Sequence, residues 1–192
     1  MTVRKTVLPA ARGVLAVVLL LTAGVLWSWL PTKLQSWAPI DIHGTVGQRM
    51  VGRNIIVTVH RAYLAREVTA NGNNGVNRFP SKGVWLVMML SYQPVLTPQS
   101  PRFDLLSDGN AFETNLSGFH SMVQPDLPQS GPLAFELPKA PHSATLLVSN
   151  GLSESSMATM DFRPLDSRIA VDMPLAGVAP AASLNLDELA RQ

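Results

Sequence analysis

The sequence contains no cysteine among its 192 residues. That excludes disulfides, thiolate-held zinc or iron–sulfur centres, a thiol nucleophile and the lipid-bearing cysteine of a bacterial lipoprotein. Charge is scarce at 15% of residues, and aromatic side chains make up only 6%. Also missing are a GxxxxGK[ST] or GxGxxG phosphate cradle, an HExxH or HxxxH zinc helix, an EF-hand loop and a GxSxG serine elbow. Nucleotide, metal and serine-hydrolase chemistry therefore have no local sequence basis. The histidines, His43, His60, His120 and His142, stand far apart. A metal site would need folding to assemble it, and each reads more simply as a surface or strand residue. No cofactor and no metal are expected.

What the chain does have is one long apolar run. Residues 13–30, GVLAVVLLLTAGVLWSWL, hold 14 apolar side chains and no charge. Eighteen residues of helix measure about 27 Å, just enough for a hydrocarbon core of roughly 30 Å. Gly13, Leu19, Leu20, Leu21 and Leu30 mark this predicted anchor, and Pro31 opposes its continuation. Arg4, Lys5 and Arg12 precede the run, whereas only Lys33 follows within fifteen residues. This asymmetry predicts a cytoplasmic N-terminus and an extracytoplasmic remainder. Trp27, Trp29 and Trp37 cluster at the exit side, where indole rings favour the headgroup layer. The alternative is a cleaved signal peptide and a secreted domain. Against it, Pro39 directly follows Ala38, the one small-residue junction beyond the run, and the run exceeds a usual signal core.

The charge balance divides in the same way. Arg4, Lys5 and Arg12 account for three of the 15 cations, and the remaining 12 stand against 13 acids, a net −1. The basic character belongs to the cytoplasmic flank, so no nucleic-acid partner is expected.

Residues 31–43 read as a juxtamembrane stalk, 44–175 as a β domain, and 176–192 as a linker with a short tail or helix. In the β domain, Asn54 to Leu64 form a first strand, with Ile55, Val57, Val59 and Tyr63 alternating onto one buried face. The polar stretch from Thr69 to Lys82, containing Asn71-Gly72-Asn73-Asn74-Gly75, reads as an exposed loop. Val84 to Tyr92 is apolar almost throughout, as a central strand covered on both faces would be; Trp85 and Val87 belong to the expected core. Phe103 to Leu106 and Ala111 to Thr114 flank Ser107-Asp108-Gly109-Asn110, where Asp108 and Gly109 supply the positive φ of a tight hairpin. Further strands are predicted at 133–137, 144–149, 157–163 and 168–173, with Phe135 in the core. About eight short strands between Pro- and Gly-rich turns indicate an all-β antiparallel sandwich. Asn185 and Glu188 have capping-box spacing, so the last ten residues are either a docked helix or a frayed tail.

Three segments carry a resemblance. Gly83-Val84-Trp85-Leu86-Val87-Met88-Met89-Leu90, then Phe103 to Phe112 around Asp108-Gly109, then Gly131-Pro132-Leu133-Ala134-Phe135-Glu136-Leu137-Pro138 stand in order over residues 44–173. Together they resemble the extracellular immunoglobulin-like domains of the DUF4352 type, departing where Tyr92-Gln93-Pro94 replaces a usual asparagine. The resemblance implies an immunoglobulin-like β-sandwich of seven to eight strands. It also implies secretion or membrane attachment, in Gram-positive bacteria, and no assigned catalysis.

Function then reads as non-enzymatic: a single-pass membrane protein whose exterior sandwich binds another membrane or envelope protein, as an accessory subunit of a transport or assembly complex. Two alternatives stand beside it. One is a ligand- or ion-binding domain with residues 69–82 as a lid, Asp104, Asp108 and Asn110 being conceivable calcium ligands. The other is an envelope hydrolase, which would need a histidine and a nucleophile brought within hydrogen-bond reach.

Overall fold

A computed structural model describes residues 7–29, 39–72, 75–119, 122–150 and 167–191, with side chains in the first segment from 13 to 27. The chain divides into two units, Met1–Ala38 and Pro39–Gln192.

In the first unit, α1 spans Val7–Trp29. Pro9 sits in its first turn, where a missing amide breaks no intrahelical bond. From Gly13 to Trp27, including Leu19, Leu20 and Leu21, every side chain is exposed. Among the described residues no helix is long and apolar enough to cross a membrane. Arg12 and Trp29 belong to α1, though their side chains, like Arg4, Lys5, Leu30 and Trp37, lie outside the described set.

The second unit is a two-sheet β-sandwich. One sheet runs in the order β1 (Ile40–Thr45), β10 (Ser167–Pro174), β9 (Ser143–Asn150), β5 (Pro101–Ser107), β6 (Asn110–Glu113). The other runs β11 (Leu184–Asn185), β3 (Ile56–Gly72), β4 (Gly75–Gln93), β8 (Gln129–Leu137), β7 (Leu116–Ser117), with β2 (Arg49–Val51) also on β3. Pairing is antiparallel except for β1 on β10 and β11 on β3. A four-residue helix, α2 (Leu186–Leu189), follows β11 directly.

The main core lies between the sheets. Val57 and Val59 of β3, Leu86, Met88, Leu90 and Tyr92 of β4, Phe135 of β8, Leu105, Leu146, Val148 and Ile169 fill it. A second cluster lies on the opposite face of the β3–β4–β8 sheet, where Ala65, Val68, Trp85, Val87 and Ala134 pack under Leu186 and Leu189. Strand alternation explains the split: even-numbered residues of β4 face the sheet partner and odd-numbered ones face α2. Trp85 and Phe135, expected as the centre of one core, thus anchor two. The sheet is covered on both faces along Val84 to Met88 of β4, as the near-continuous apolar run there predicted.

Several expectations are corrected. Residues 40–43 are not stalk: they form most of β1, where Ile40–Thr45 run beside Ser167–Asp172 and Arg168 grips Asp41 through two bonds of 2.7 and 2.9 Å. Nor is 69–82 a loop or lid. It is the far half of the β3–β4 ribbon, paired from Glu67↔Pro80 to Gly72↔Gly75, with Trp85 Nε1–H donating to the Phe79 carbonyl at 2.8 Å. Tyr63 does not share the face of Val57 and Val59. Bulges between Val59 and Arg61 and between Ala65 and Glu67 each shift the pairing by one residue, which exchanges the two faces. The first bulge moves Leu64 inward and Tyr63 outward; the second keeps Val68 outward. The linker and tail are strapped to the sandwich. The Ala181 amide donates to the Leu64 carbonyl at 2.8 Å, and the Arg66 amide, freed by the second bulge, donates to the Ala181 carbonyl at 2.9 Å. The expected strand at 157–163 lies outside the described residues.

Two local features place the rest. Asp108 and Gly109 have φ of 50° and 77°, the left-handed pair of a two-residue hairpin turn, and Ser107 pairs Asn110 across it. A Cβ on Gly83 would run into the Leu137 carbonyl, so glycine is what lets β4 begin against β8.

Candidate interaction surfaces

The β strands set up two poles. Strands β1, β3, β5, β8 and β10 all start at the end where the chain comes in at Pro39, and we term it the N-terminal pole. The opposite end carries the Gly72↔Gly75 pair of the β3–β4 ribbon and the Asp108–Gly109 turn, and we term it the hairpin pole.

At the N-terminal pole one buried side chain organises three segments. Asn54, 7% exposed, accepts at Oδ1 from the amides of Val95, Leu96 and Thr97 at 3.1, 2.5 and 3.3 Å. Its Nδ2 donates to Thr97 Oγ1 at 3.1 Å, and its carbonyl accepts from Asn150 Nδ2 at 3.0 Å. Asn150 Oδ1 in turn accepts from the Tyr92 hydroxyl at 2.7 Å. A short amide side chain can close such a turn because it presents acceptor and donor at backbone-like spacing. The next loop is tied in by a two-bond bridge between Gln99 and Val123, at 3.0 and 2.9 Å. From this framework Leu96, Met122 and Leu127 project into solvent, with exposures of 63%, 59% and 64%.

The outer face of the β3–β4–β8 sheet has two zones. Its hairpin-pole half is apolar and roofed by the C-terminal strap. There Asn185 caps α2, accepting from the Asp187 and Glu188 amides at 2.9 and 3.3 Å, while Asp187 Oδ2 accepts from the Asn71 amide at 2.6 Å. The spacing of Asn185 and Glu188 had allowed a docked helix or a frayed tail, and the helix is docked. The other half is polar. His60 Nε2 lies 2.7 Å from Ser91 Oγ, which lies 2.7 Å from Ser130 Oγ, a row running across three adjacent strands. Strand alternation turns His60 away from Val57 and Val59, in keeping with its reading as a surface or strand residue; Ser91 and Ser130 carried no sequence signal.

This row brings a base to a hydroxyl, as a hydrolase requires. Among the described residues, no carboxylate holds the His60 ring from its other side. The three side chains lie on an open strand face, with His60 and Ser130 exposed. His43 is on β1 and His142 precedes β9, so these two histidines are not brought together with His60; His120 lies outside the described residues. Among the described residues no three His, Asp or Glu side chains gather as metal ligands. Asp104 is gripped by Arg102 at 2.8 and 3.0 Å, and Asp108 meets Lys139 at 3.0 Å. The two conceivable carboxylate ligands of calcium therefore serve separate ion pairs, and Asn110 Nδ2 donates to the Asp108 carbonyl at 3.3 Å. The hydrogen-bonded Asp104 carboxylate, with Glu113 nearby, raises the Arg102 pKa above its ordinary value. The Arg168 guanidinium hydrogen-bonded to Asp41 holds that carboxyl below the usual aspartate range.

Both ends of the first sheet are open edges. β1 and β6 each pair on one side only among the described residues. In the second sheet, the β3 edge is occupied twice from within the chain, by β2 near its start and by β11 further along.

The fold and these surfaces define a two-sheet β-sandwich with an N-terminal helix. The chain is similar to two solved structures. One is a conserved hypothetical protein from Bacillus anthracis, at 16% identity and a TM-score of 0.43, over 54% of this chain and 88% of that one. The other is an uncharacterized β-sandwich protein from Clostridium difficile 630, at 8% identity and a TM-score of 0.38, over 75% of this chain and 99% of that one. No family model and no curated protein matches the chain.

Proposed function

We propose that this chain is a non-enzymatic, single-pass membrane protein. Its N-terminus is cytoplasmic, and its immunoglobulin-like sandwich works outside the membrane as an interaction module of an envelope transport or assembly complex. The observation that carries this reading is α1. It is exposed and apolar on every side from Gly13 to Trp27, with no polar face to lay against a soluble core. The Thr22 hydroxyl donates back to the Val18 and Leu19 carbonyls at 3.0 and 2.9 Å, as a hydroxyl in a lipid-facing helix must. Arg4, Lys5 and Arg12 on one flank support the orientation.

The strand order supports the immunoglobulin-like description. The β3–β4–β8–β7 series follows the A–B–E–D order of that fold, and β10–β9–β5 follows G–F–C. These are features that the resemblance to the DUF4352 type implies. The open edges of β1 and β6 suit an interaction module, because an unpaired edge accepts a partner strand.

Photocrosslinking in intact cells tests the role. A crosslinking side chain at His43 of β1 or Ala111 of β6, both exposed, gives one discrete heteromeric adduct with a membrane or envelope protein. Recovery of only the chain itself and bulk lipid from both positions contradicts the proposal. The His60–Ser91 contact favours a second reading, an esterase-like hydrolase. Ser91→Ala abolishing turnover of an activated ester by the purified chain supports that reading, and equal background rates with and without Ser91 dismiss it.

A further inference from the structure

We infer that the N-terminal pole of the sandwich is itself a membrane-contacting surface, with Leu96, Met122 and Leu127 dipping into the headgroup layer of the bilayer that holds α1. This rests on the anchor reading above and adds a second, independent attachment to it.

Outside α1, eight large apolar side chains are conspicuously exposed among the described residues: Ile40, Val51, Val76, Leu96, Leu106, Met122, Leu127 and Val178. Five of them belong to the N-terminal pole. Ile40 opens β1 beside Ser167, and Val51 ends β2 opposite Ile56, which pairs Gln93 just before the Leu96 loop. Met122 adjoins the Gln99–Val123 bridge, and Leu127 stands two residues before β8. Single exposed aliphatic residues need no explanation, but several gathered on adjoining loops do.

Their exposure is built in. Asn54 fixes the backbone of 95–97 by three hydrogen bonds, and the bridge fixes 99 and 123. Val123 is buried at 4% while its neighbour Met122 points out, and Pro94 is buried while Leu96 points out. The loops have an apolar inner side to bury and still present a second apolar side to the surroundings. They also lack charge: 94–101 contains none, and in 122–129 the one ionisable residue is Asp126. Desolvating these tips against lipid therefore strips few charges of water.

Connectivity selects the occupant. The sandwich begins at Pro39, at this pole, and residues 31–38 are the whole tether from the apolar run. Eight residues reach about 29 Å at full extension, and less otherwise. The chain that joins the sandwich to the apolar run therefore enters at the same end as Leu96, Met122 and Leu127. Partial insertion of apolar side chains adds to an anchor as a second membrane signal does.

The test uses the full chain, whose lack of cysteine makes single-cysteine variants unambiguous. Leu20→Cys, Val76→Cys, Leu96→Cys and Leu127→Cys are each spin-labelled and reconstituted in phosphatidylcholine–phosphatidylglycerol vesicles. Accessibility to oxygen, which partitions into lipid, is compared with accessibility to a water-soluble nickel chelate. The expected result is oxygen-dominated collision at 20, 96 and 127, and nickel-dominated collision at 76. Nickel access at 96 and 127 equal to that at 76, with 20 still lipid-buried, overturns the contact while leaving the anchor standing. Nickel access at 20 overturns the anchor reading itself. Loss of access to both reagents at 96 and 127 means that a second copy covers the pole, and overturns the lipid assignment.

Discussion

The two poles of the sandwich are built from the same strands but finished differently. At the hairpin pole, the β5–β6 turn is made of polar residues and glycine, with Asp108 and Gly109 in left-handed conformations and an Asp108–Lys139 pair beside them. At the N-terminal pole, residues 94–101 and 122–129 are proline-rich with Asp126 as their one ionisable residue, are held by Asn54 and by the Gln99–Val123 bridge, and turn Leu96, Met122 and Leu127 outward. Turn chemistry at the first pole serves to reverse the chain. The second pole spends a buried polar network on fixing loops whose outward residues contribute nothing to the core.

The sharpest way to break this contrast is to remove Asn54. Asn54→Ala leaves three amides of 95–97 without their acceptor, and about 3 kcal/mol of stability is lost, read as a lowered urea midpoint with unchanged slope. A loss below about 0.5 kcal/mol, the scale of ordinary surface substitutions, shows the loops to be incidental and the contrast empty. Next is the strap on the outer face. Leu186→Ala removes a side chain 7% exposed above Trp85 and costs about 2 kcal/mol, with faster hydrogen exchange at the Asn71 amide that Asp187 accepts from. At the hairpin pole, Gly109→Ala forces a Cβ into φ 77° and costs about 1 kcal/mol by the same unfolding measurement. Smallest is Leu127→Ser, which moves stability by less than about 0.5 kcal/mol because the side chain is 64% exposed. A large loss there identifies Leu127 as a packing residue and removes it from the proposed surface.

Acid tests the seam that joins β1 to β10. With Asp41 held below the ordinary aspartate range by Arg168, the folded state binds its proton more weakly than the unfolded chain does. The contribution of the pair is therefore complete above the unfolded aspartate pKa, near 4, and disappears as pH falls through the lower folded value. Asp41→Asn removes this part of the acid dependence, measurable as a flatter stability profile at acidic pH. An unchanged profile contradicts the assignment.

Much of the sandwich was legible in the sequence because short-range chemistry decides it. Asp108-Gly109 specifies its own turn, Val84 to Tyr92 shows its two-sided burial by lacking polar residues, and Asn185 announces the helix it caps. What stayed hidden depends on partners remote in sequence. The bulges that send Tyr63 and Leu64 to opposite faces leave no mark in the pattern of β3. The stretch from Thr69 to Lys82 looks like a loop because each strand there is polar, and it is strand because the two halves pair with each other. Ile40 to His43 become a strand only through β10, more than a hundred residues away. The apolar pole was missed for a related reason: Val95-Leu96 and Leu127 are short aliphatic breaks between prolines, and only the fold brings them to one end of the sandwich. The His60–Ser91–Ser130 row joins three strands and has no sequence motif at all.

The central claim is a cytoplasmic N-terminus, one membrane span and an extracytoplasmic sandwich, and labelling of single-cysteine chains in intact cells tests it most directly. A membrane-impermeant maleimide is predicted to label Val76→Cys at the hairpin pole without permeabilisation, to label Thr2→Cys only after it, and to find both chains in carbonate-washed membranes. Labelling of Thr2→Cys from outside, protection of Val76→Cys, or release of the chain by the carbonate wash contradicts it.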